Sequence, residues 1–236
     1  MSTKVKFFAA VAAVMMAGVL GGAAAPTASA ATPSCGPTCI NLFAQLYGSS
    51  FVLDVLLNQG QNANQPNVGQ PIILAPASNS NPGEDFVASD QGTVADFIAA
   101  GLMSPSLSAY NNDEAFEFEY APFGADTGLC VGVGISPTNN TPVSLQPCGV
   151  SAKTVWFADL PSTNGTAHLI NGGTNASFSN PYSLTDLKPG GDRQLFTWPL
   201  QAGGILHNKF SNQVWGAIFG PIPSGCSPTT TDGPTC

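Results

Sequence analysis

The sequence predicts an all-β fold, and three observations predict it. Short runs rich in Val, Ile, Leu and Phe are punctuated by turn-forming residues, including 26 glycines and 20 prolines. The run "FEFEY", residues 116–120, alternates strictly. That pattern sets Phe116, Phe118 and Tyr120 on one face of a strand, with Glu117 and Glu119 on a solvated face. Finally, one unit of sequence recurs three times and is too small to bury its own apolar side, so its copies must pack against one another.

The first thirty residues stand apart from this fold. Lys4 and Lys6 precede the apolar run "FFAAVAAVMMAGVLGG", and "TASA" supplies small residues for cleavage after Ala30. This is the layout of a secretory signal peptide. A membrane anchor is the alternative, but the run heads into Pro26 and Ser29 rather than a charged stop-transfer flank. A secreted, extracellular chain with no anchor in its mature form is therefore expected.

Charge narrows the partners. The whole chain has 6 basic residues against 14 carboxylates, a formal net charge of −8, and two of the basic residues lie in the signal segment. Such a surface repels phosphate backbones and anionic membranes, which excludes nucleic acid. Cys35, Cys39, Cys130, Cys148, Cys226 and Cys236 all lie in the exported part. An even number of cysteines in an oxidising compartment implies disulfides. Proximity favours Cys35–Cys39, Cys130–Cys148 and Cys226–Cys236, while pairing between the N-terminal and C-terminal cysteines is the crossed alternative. "CGPTC" lacks a second ligand pair, so no metal is expected, and nothing calls for a cofactor.

The repeat is read from strand patterns. Pro71-Ile-Ile-Leu-Ala-Pro-Ala77 matches Pro142-Val-Ser-Leu-Gln-Pro-Cys148 position for position, and Phe86 and Trp156 follow at nearly equal spacing. Pro181-Tyr-Ser-Leu-Thr185 reads as a third copy of that strand, followed by Phe196. Cys130 and Cys148 then correspond to Val52 and Ala77 in the first copy and to Leu169 and Leu187 in the third. The three units run over about 38–90, 115–160 and 164–200 within one domain at 31–220, leaving an irregular tail at 221–236. Residues 91–114 read as an insertion. Val94, Phe97, Ile98 and Leu102 fall there at helical spacing, with Thr93 placed to cap.

These units resemble the ricin-type β-trefoil: a Cys-Leu-Asp-Val-like strand, a "PVQLxPC"-like strand, then Gln-x-Trp. The last signature reads Glu84-Asp-Phe86, Thr154-Val-Trp156 and Gln194-Leu-Phe196, and a cleaner Gln213-Val-Trp215 lies further on as the alternative third copy. The whole chain also resembles secreted actinobacterial proteins of unassigned activity. A β-trefoil-like fold with three degenerate repeats is the expectation. The aromatics at 86, 156 and 196 are expected to form one core layer.

The resemblance implies where sugar would bind in each copy: an acid two residues after the first cysteine position, an aromatic before the proline of the next strand, and a polar residue or pair ahead of the Trp. Those positions hold Asp54, Gly132 and Asn171; then Ala75, Gln146 and Thr185; then Gly83-Glu84, Lys153-Thr154 and Arg193-Gln194. Asp54, Asn171 and Gln194 are thus the candidate ligand residues. Tyr182, Phe178 or Trp198 would supply the missing aromatic, and Tyr182 is the one carried forward. The competing role for Asp54 is stabilisation of a turn.

The chain lacks G-x-S-x-G, H-E-x-x-H and a phosphate-cradling glycine loop with Lys. His168, read as facing solvent, and His207 are its histidines. A non-enzymatic, monomeric recognition module with carbohydrate as its ligand is the leading reading. The alternatives are a trefoil that binds or inhibits an extracellular protein and a secreted glycan hydrolase using paired carboxylates.

Overall fold

The structure is a computed structural model that describes residues 39–78, 80–159, 166–174, 181–186, 194–200 and 212–219, all within one compact unit. The signal segment 1–30, Cys35, Phe178, Leu187, Arg193, His207, Cys226, Cys236 and the tail lie outside the described residues. The described residues include twelve strands: β1 Ile40–Ala44, β2 Phe51–Val55, β3 Ile72–Pro76, β4 Phe86–Thr93, β5 Glu114–Tyr120, β6 Leu129–Val133, β7 Thr141–Pro147, β8 Val155–Asp159, β9 Thr166–Asn171, β10 Tyr182–Thr185, β11 Phe196–Pro199 and β12 Val214–Phe219.

Their pairing repeats every four strands. β1, β4, β5, β8, β9 and β12 pair in sequence, and β12 pairs back with β1, closing a six-stranded antiparallel barrel. Closure removes the exposed edges that an open sheet would present. The hairpins β2–β3, β6–β7 and β10–β11 join the barrel through β1, β5 and β9. The hairpins also meet one another, through Pro71 and Ser144, Ile73 and Gln194, and Phe196 and Pro142. The fold is a β-trefoil.

The cross-strand partners fix which residues are equivalent. Phe43 faces Val52, Glu119 faces Cys130 and Ile170 faces Ser183. Ile40 faces Phe86, Phe116 faces Trp156 and Ala167 faces Trp215. From these registers the core falls into three-fold layers: Leu42, Phe118 and Leu169; Leu53, Val131 and Leu184; Ile72, Val143 and Leu195; Phe86, Trp156 and Trp215, all buried in one cluster. Two of the large aromatics also donate to the hairpin of their own repeat: Trp156 Nε1 to Val131 O (2.8 Å) and Trp215 Nε1 to Leu184 O (3.0 Å).

The third repeat departs from the expected register. Tyr182–Thr185 is the counterpart of β2 and β6, not of β3 and β7, and Phe196 begins β11. The core aromatic of this repeat is Trp215, so Gln213-Val-Trp215 is its signature. The physical reason is that "PYSLT" and "PVSLQ" are both short alternating strands, indistinguishable until their partners are known. The residues equivalent to Cys130 and Cys148 are therefore Ser183 and Leu200, and β12 carries the repeat past residue 200 to Phe219.

Cys130 and Cys148 form a disulfide, with a sequence separation of 18, and Cys39 is also disulfide-bonded. The stretch between repeats one and two contains α1, Val94–Ala99, whose N-terminus carries a reciprocal cap between Thr93 and Asp96. Val94, Phe97, Met103 and Leu107 pack there into a second cluster with Phe157 and Ile170. Among the described residues no helix is long and apolar enough to cross a membrane.

Candidate functional site

In a trefoil built this way, each repeat brings three segments together: its second strand, the third strand paired antiparallel with it, and the residues that lead into its fourth. The observed register puts Asp54, Gly132 and Thr185 at the first position, and Ala75, Gln146 and Trp198 at the second. Gly83-Glu84, Lys153-Thr154 and Asn212-Gln213 lead into the core aromatics. The aromatic ahead of a proline, absent in the sequence-based register, is present in the third repeat as Trp198-Pro199.

In the third repeat, Thr197 is fully buried while Phe196 and Trp198 are half-buried, as alternation along a hairpin strand requires. Gln213, itself buried, donates from Nε2 to Thr185 Oγ1 (3.0 Å), Pro199 O (3.1 Å) and Trp198 O (3.4 Å), tying β10 and β11 to the approach of β12. Asp186 N donates to Asn212 O (3.0 Å). His168 Nδ1 lies 3.0 Å from Gln213 O, so that nitrogen carries the proton. His168 is only 5% exposed, in contrast to the solvent-facing position expected from its place in the sequence; on a barrel strand paired on both sides, alternation alone does not decide exposure. Asp186 is buried where the other repeats place Val55 and Val133, and Tyr47 donates to it. Burial first, then the Asp186 charge, pushes the Tyr47 hydroxyl up to about 12.

In the first repeat, Asp54 is shut away beneath the 3-10 turn Pro82–Glu84. Asn81 Nδ2 donates to Asp54 Oδ2 (2.7 Å) and to Glu84 Oε1 (3.2 Å), while Ser78 N donates to both oxygens of Glu84 (2.9 and 3.0 Å). A Cβ on Gly83 would stand 2.0 Å from Asp54 Oδ1, so only glycine permits this approach. Asp54 Oδ1 is buried without a hydrogen-bond partner. Burial raises Asp54 to about 6 and Glu84 to about 8. In the second repeat, the Lys153–Thr154 backbone fills the space opposite Gly132.

The remaining sequence candidates lie apart from one another. Asn171 is fully buried at the end of β9, donating to Lys153 O (2.9 Å) and accepting from Gly173 N (3.0 Å). Gln194 lies just ahead of β11, bridging to Ile73, and donates to Val143 O (2.8 Å). Tyr182 is buried, with its hydroxyl 3.4 Å from Asn139 Oδ1. The equivalents of Asp54 and Glu84 in this repeat are Thr185 and Gln213 rather than Asn171 and Gln194. Glu117, expected on the solvated face, is 1% exposed: it accepts from Thr154 Oγ1 and, at both oxygens, from Gly149 N, and burial raises its carboxyl above the usual range. The strand β5 is covered on both sides, so its alternation marks two packed faces.

Solved structures similar to this chain include an exo-β-1,3-galactanase from Clostridium thermocellum (TM-score 0.52, 14% identity), over 77% of this chain and 30% of that one. Others are the designed three-fold symmetric protein ThreeFoil (TM-score 0.49, 12% identity, 76% and 96%) and the β-trefoil lectin of the Vibrio vulnificus hemolysin/cytolysin, with N-acetyl-D-lactosamine bound (TM-score 0.43, 12% identity, 78% and 97%). At such identities the likeness concerns the fold alone, and this chain spans less than a third of the galactanase. No protein-family model matches the chain, and no curated protein matches it in sequence.

Proposed function

We propose that this chain is a secreted, non-enzymatic recognition module that binds neutral carbohydrate at the third repeat. The observation that carries this reading is the register of β10 with β11, which sets Trp198 immediately before Pro199 at the hairpin mouth. An indole offers a flat apolar face to the C–H side of a sugar ring, and Asn212, the chain neighbour of the Gln213 that donates to Trp198 O, is the polar residue we assign to the same site. Thr185 and Gln213, buried and bonded to each other, support that rim from below. The first repeat keeps the acid Asp54 but has Ala75 in place of the aromatic; the second has neither. With direct hydrogen bonds adding little net energy in water, the stacking surface decides which repeat binds. The net charge of −8 favours neutral over anionic glycans.

The experiment is tryptophan fluorescence under titration with neutral oligosaccharides. Of the three tryptophans, Trp156 and Trp215 are buried in the core, so an environment-sensitive response reports on Trp198. A ligand that shifts the emission and protects it from acrylamide supports the reading. A ligand that binds without changing either overturns the assignment to Trp198.

A further inference from the structure

The turn over Asp54 does more than fill space. It brings two carboxylates against one amide group: Asn81 Nδ2 serves Asp54 Oδ2 and Glu84 Oε1 together, and Asp54 Oδ1 is pressed against Gly83 with no donor of its own. Asp54 is 6% and Glu84 2% exposed. The ionisable groups around them among the described residues are acids and tyrosines. Asp85 follows Glu84 at the end of the turn and accepts from Phe123 N (2.9 Å) through Oδ2. Tyr120, on β5, is buried and feels both Asp85 and Asp54. Tyr47, on the 3-10 turn after β1, is directed to Asp186. The strands β1 and β3 and the turn Pro122–Gly124, which pack against this group, contribute no ionisable side chain.

Two ionised carboxylates in such a place would share Asn81 Nδ2, with Ser78 N serving Glu84 alone and no described cation to offset them. Burial of like charges is relieved either by retaining a proton or by admitting water. We propose that Asp54, Asn81 and Glu84 form a proton-operated latch, closed while the two carboxylates share a proton and released, with the turn Pro82–Glu84 swinging off Asp54, when both ionise. The closed form binds the proton more tightly than the open form, so by linkage rising pH favours opening. The direction agrees with the raised values of both acids. Opening uncovers Asp54 Oδ1, an acceptor at the position equivalent to Thr185; that this would create an additional sugar contact rests on the carbohydrate reading above, whereas the latch itself does not.

The test is amide hydrogen exchange on the intact, oxidised chain between pH 6 and 9, expressed as protection factors. The backbone N–H groups of Ser78, Gly83, Glu84 and Asp85 are bonded within the closed turn. Their protection is expected to fall about tenfold or more over this range, while strand β8 keeps its own. Glu84→Gln retains the shape and removes one charge, so the fall should disappear; Asp54→Asn provides the same test should the first variant misfold. Carboxyl carbon titrations of Asp54 and Glu84 in the unmodified chain complete it. Protection that is flat with pH, a fall that persists in both variants, or two titrations in the ordinary carboxylate range would each overturn the latch.

Discussion

Replacing Cys130 and Cys148 by Val and Ala transplants into the second repeat the pair that the first repeat carries at Val52 and Ala77. The hairpin registers make these positions equivalent, and Val52 is fully buried as Cys130 is. Packing should therefore survive, and what is lost is the cross-link. For a bridge with a sequence separation of 18, loop-closure entropy in the unfolded chain gives about 3 kcal/mol. For a domain of this size that corresponds to a fall in Tm of roughly 6–12 °C. Urea unfolding of the variant beside the parent measures it, with Cys39 left oxidised in both, which a reductant would not allow. The unfolded variant exposes more surface, so its m-value should rise. A loss under about 1 kcal/mol with an unchanged m-value would refute the reasoning, because the β6–β7 hairpin would then hold its ends together without the bridge.

Three further outcomes are expected. Trp156→Phe should cost about 2 kcal/mol in urea unfolding, since it strands the buried Val131 O and leaves a void, yet fold normally because Phe86 fills the same layer in the first repeat. Phe123 sits at φ 55° while 57% exposed, followed by Gly124 at φ 77°, so Phe123→Asn should stabilise by roughly 0.5 kcal/mol, with a raised Tm as the check. Stability should also decline with pH. Asp54 (about 6) and Glu84 (about 8) hold protons more tightly folded than unfolded, so their contribution is complete below the ordinary carboxylate range and lost as pH rises through these values. A drop on the order of 2 kcal/mol between pH 4.5 and 8.5 is expected by urea unfolding, and much less in Glu84→Gln.

The fold was legible because the first two repeats keep nearly the same spacing from the hairpin proline to a core aromatic, and because Cys130 and Cys148 mark a contact that Val52 and Ala77 replace together. The third repeat was not, since Tyr182–Thr185 copies the local pattern of a β7-type strand. Twenty-one positions separate Gln194 from Trp215, against fifteen from Pro71 to Phe86, and spacing then misleads. The Gln213-Val-Trp215 signature was the available signal. Correcting the register changes the candidate site: it moves the stacking aromatic from absent to Trp198. The turn role of Asp54 was one of the two readings its position offered, but the burial of Glu84 and Glu117 was not legible. Period-two alternation assigns faces to Glu117 and Glu119, but only the loop Gly149–Thr154 makes one of those faces an interior. Asp54 likewise becomes a turn-holding carboxylate only through Asn81 and Gly83, some thirty residues away.

The most direct test of the central claim is a glycan array probed side by side with the oxidised parent chain, Trp198→Ala and Asp54→Asn at pH 7. The account predicts binding to neutral glycans by the parent and by Asp54→Asn, and loss of that binding, at least tenfold in apparent affinity, in Trp198→Ala. Binding that survives in Trp198→Ala and disappears in Asp54→Asn would contradict it.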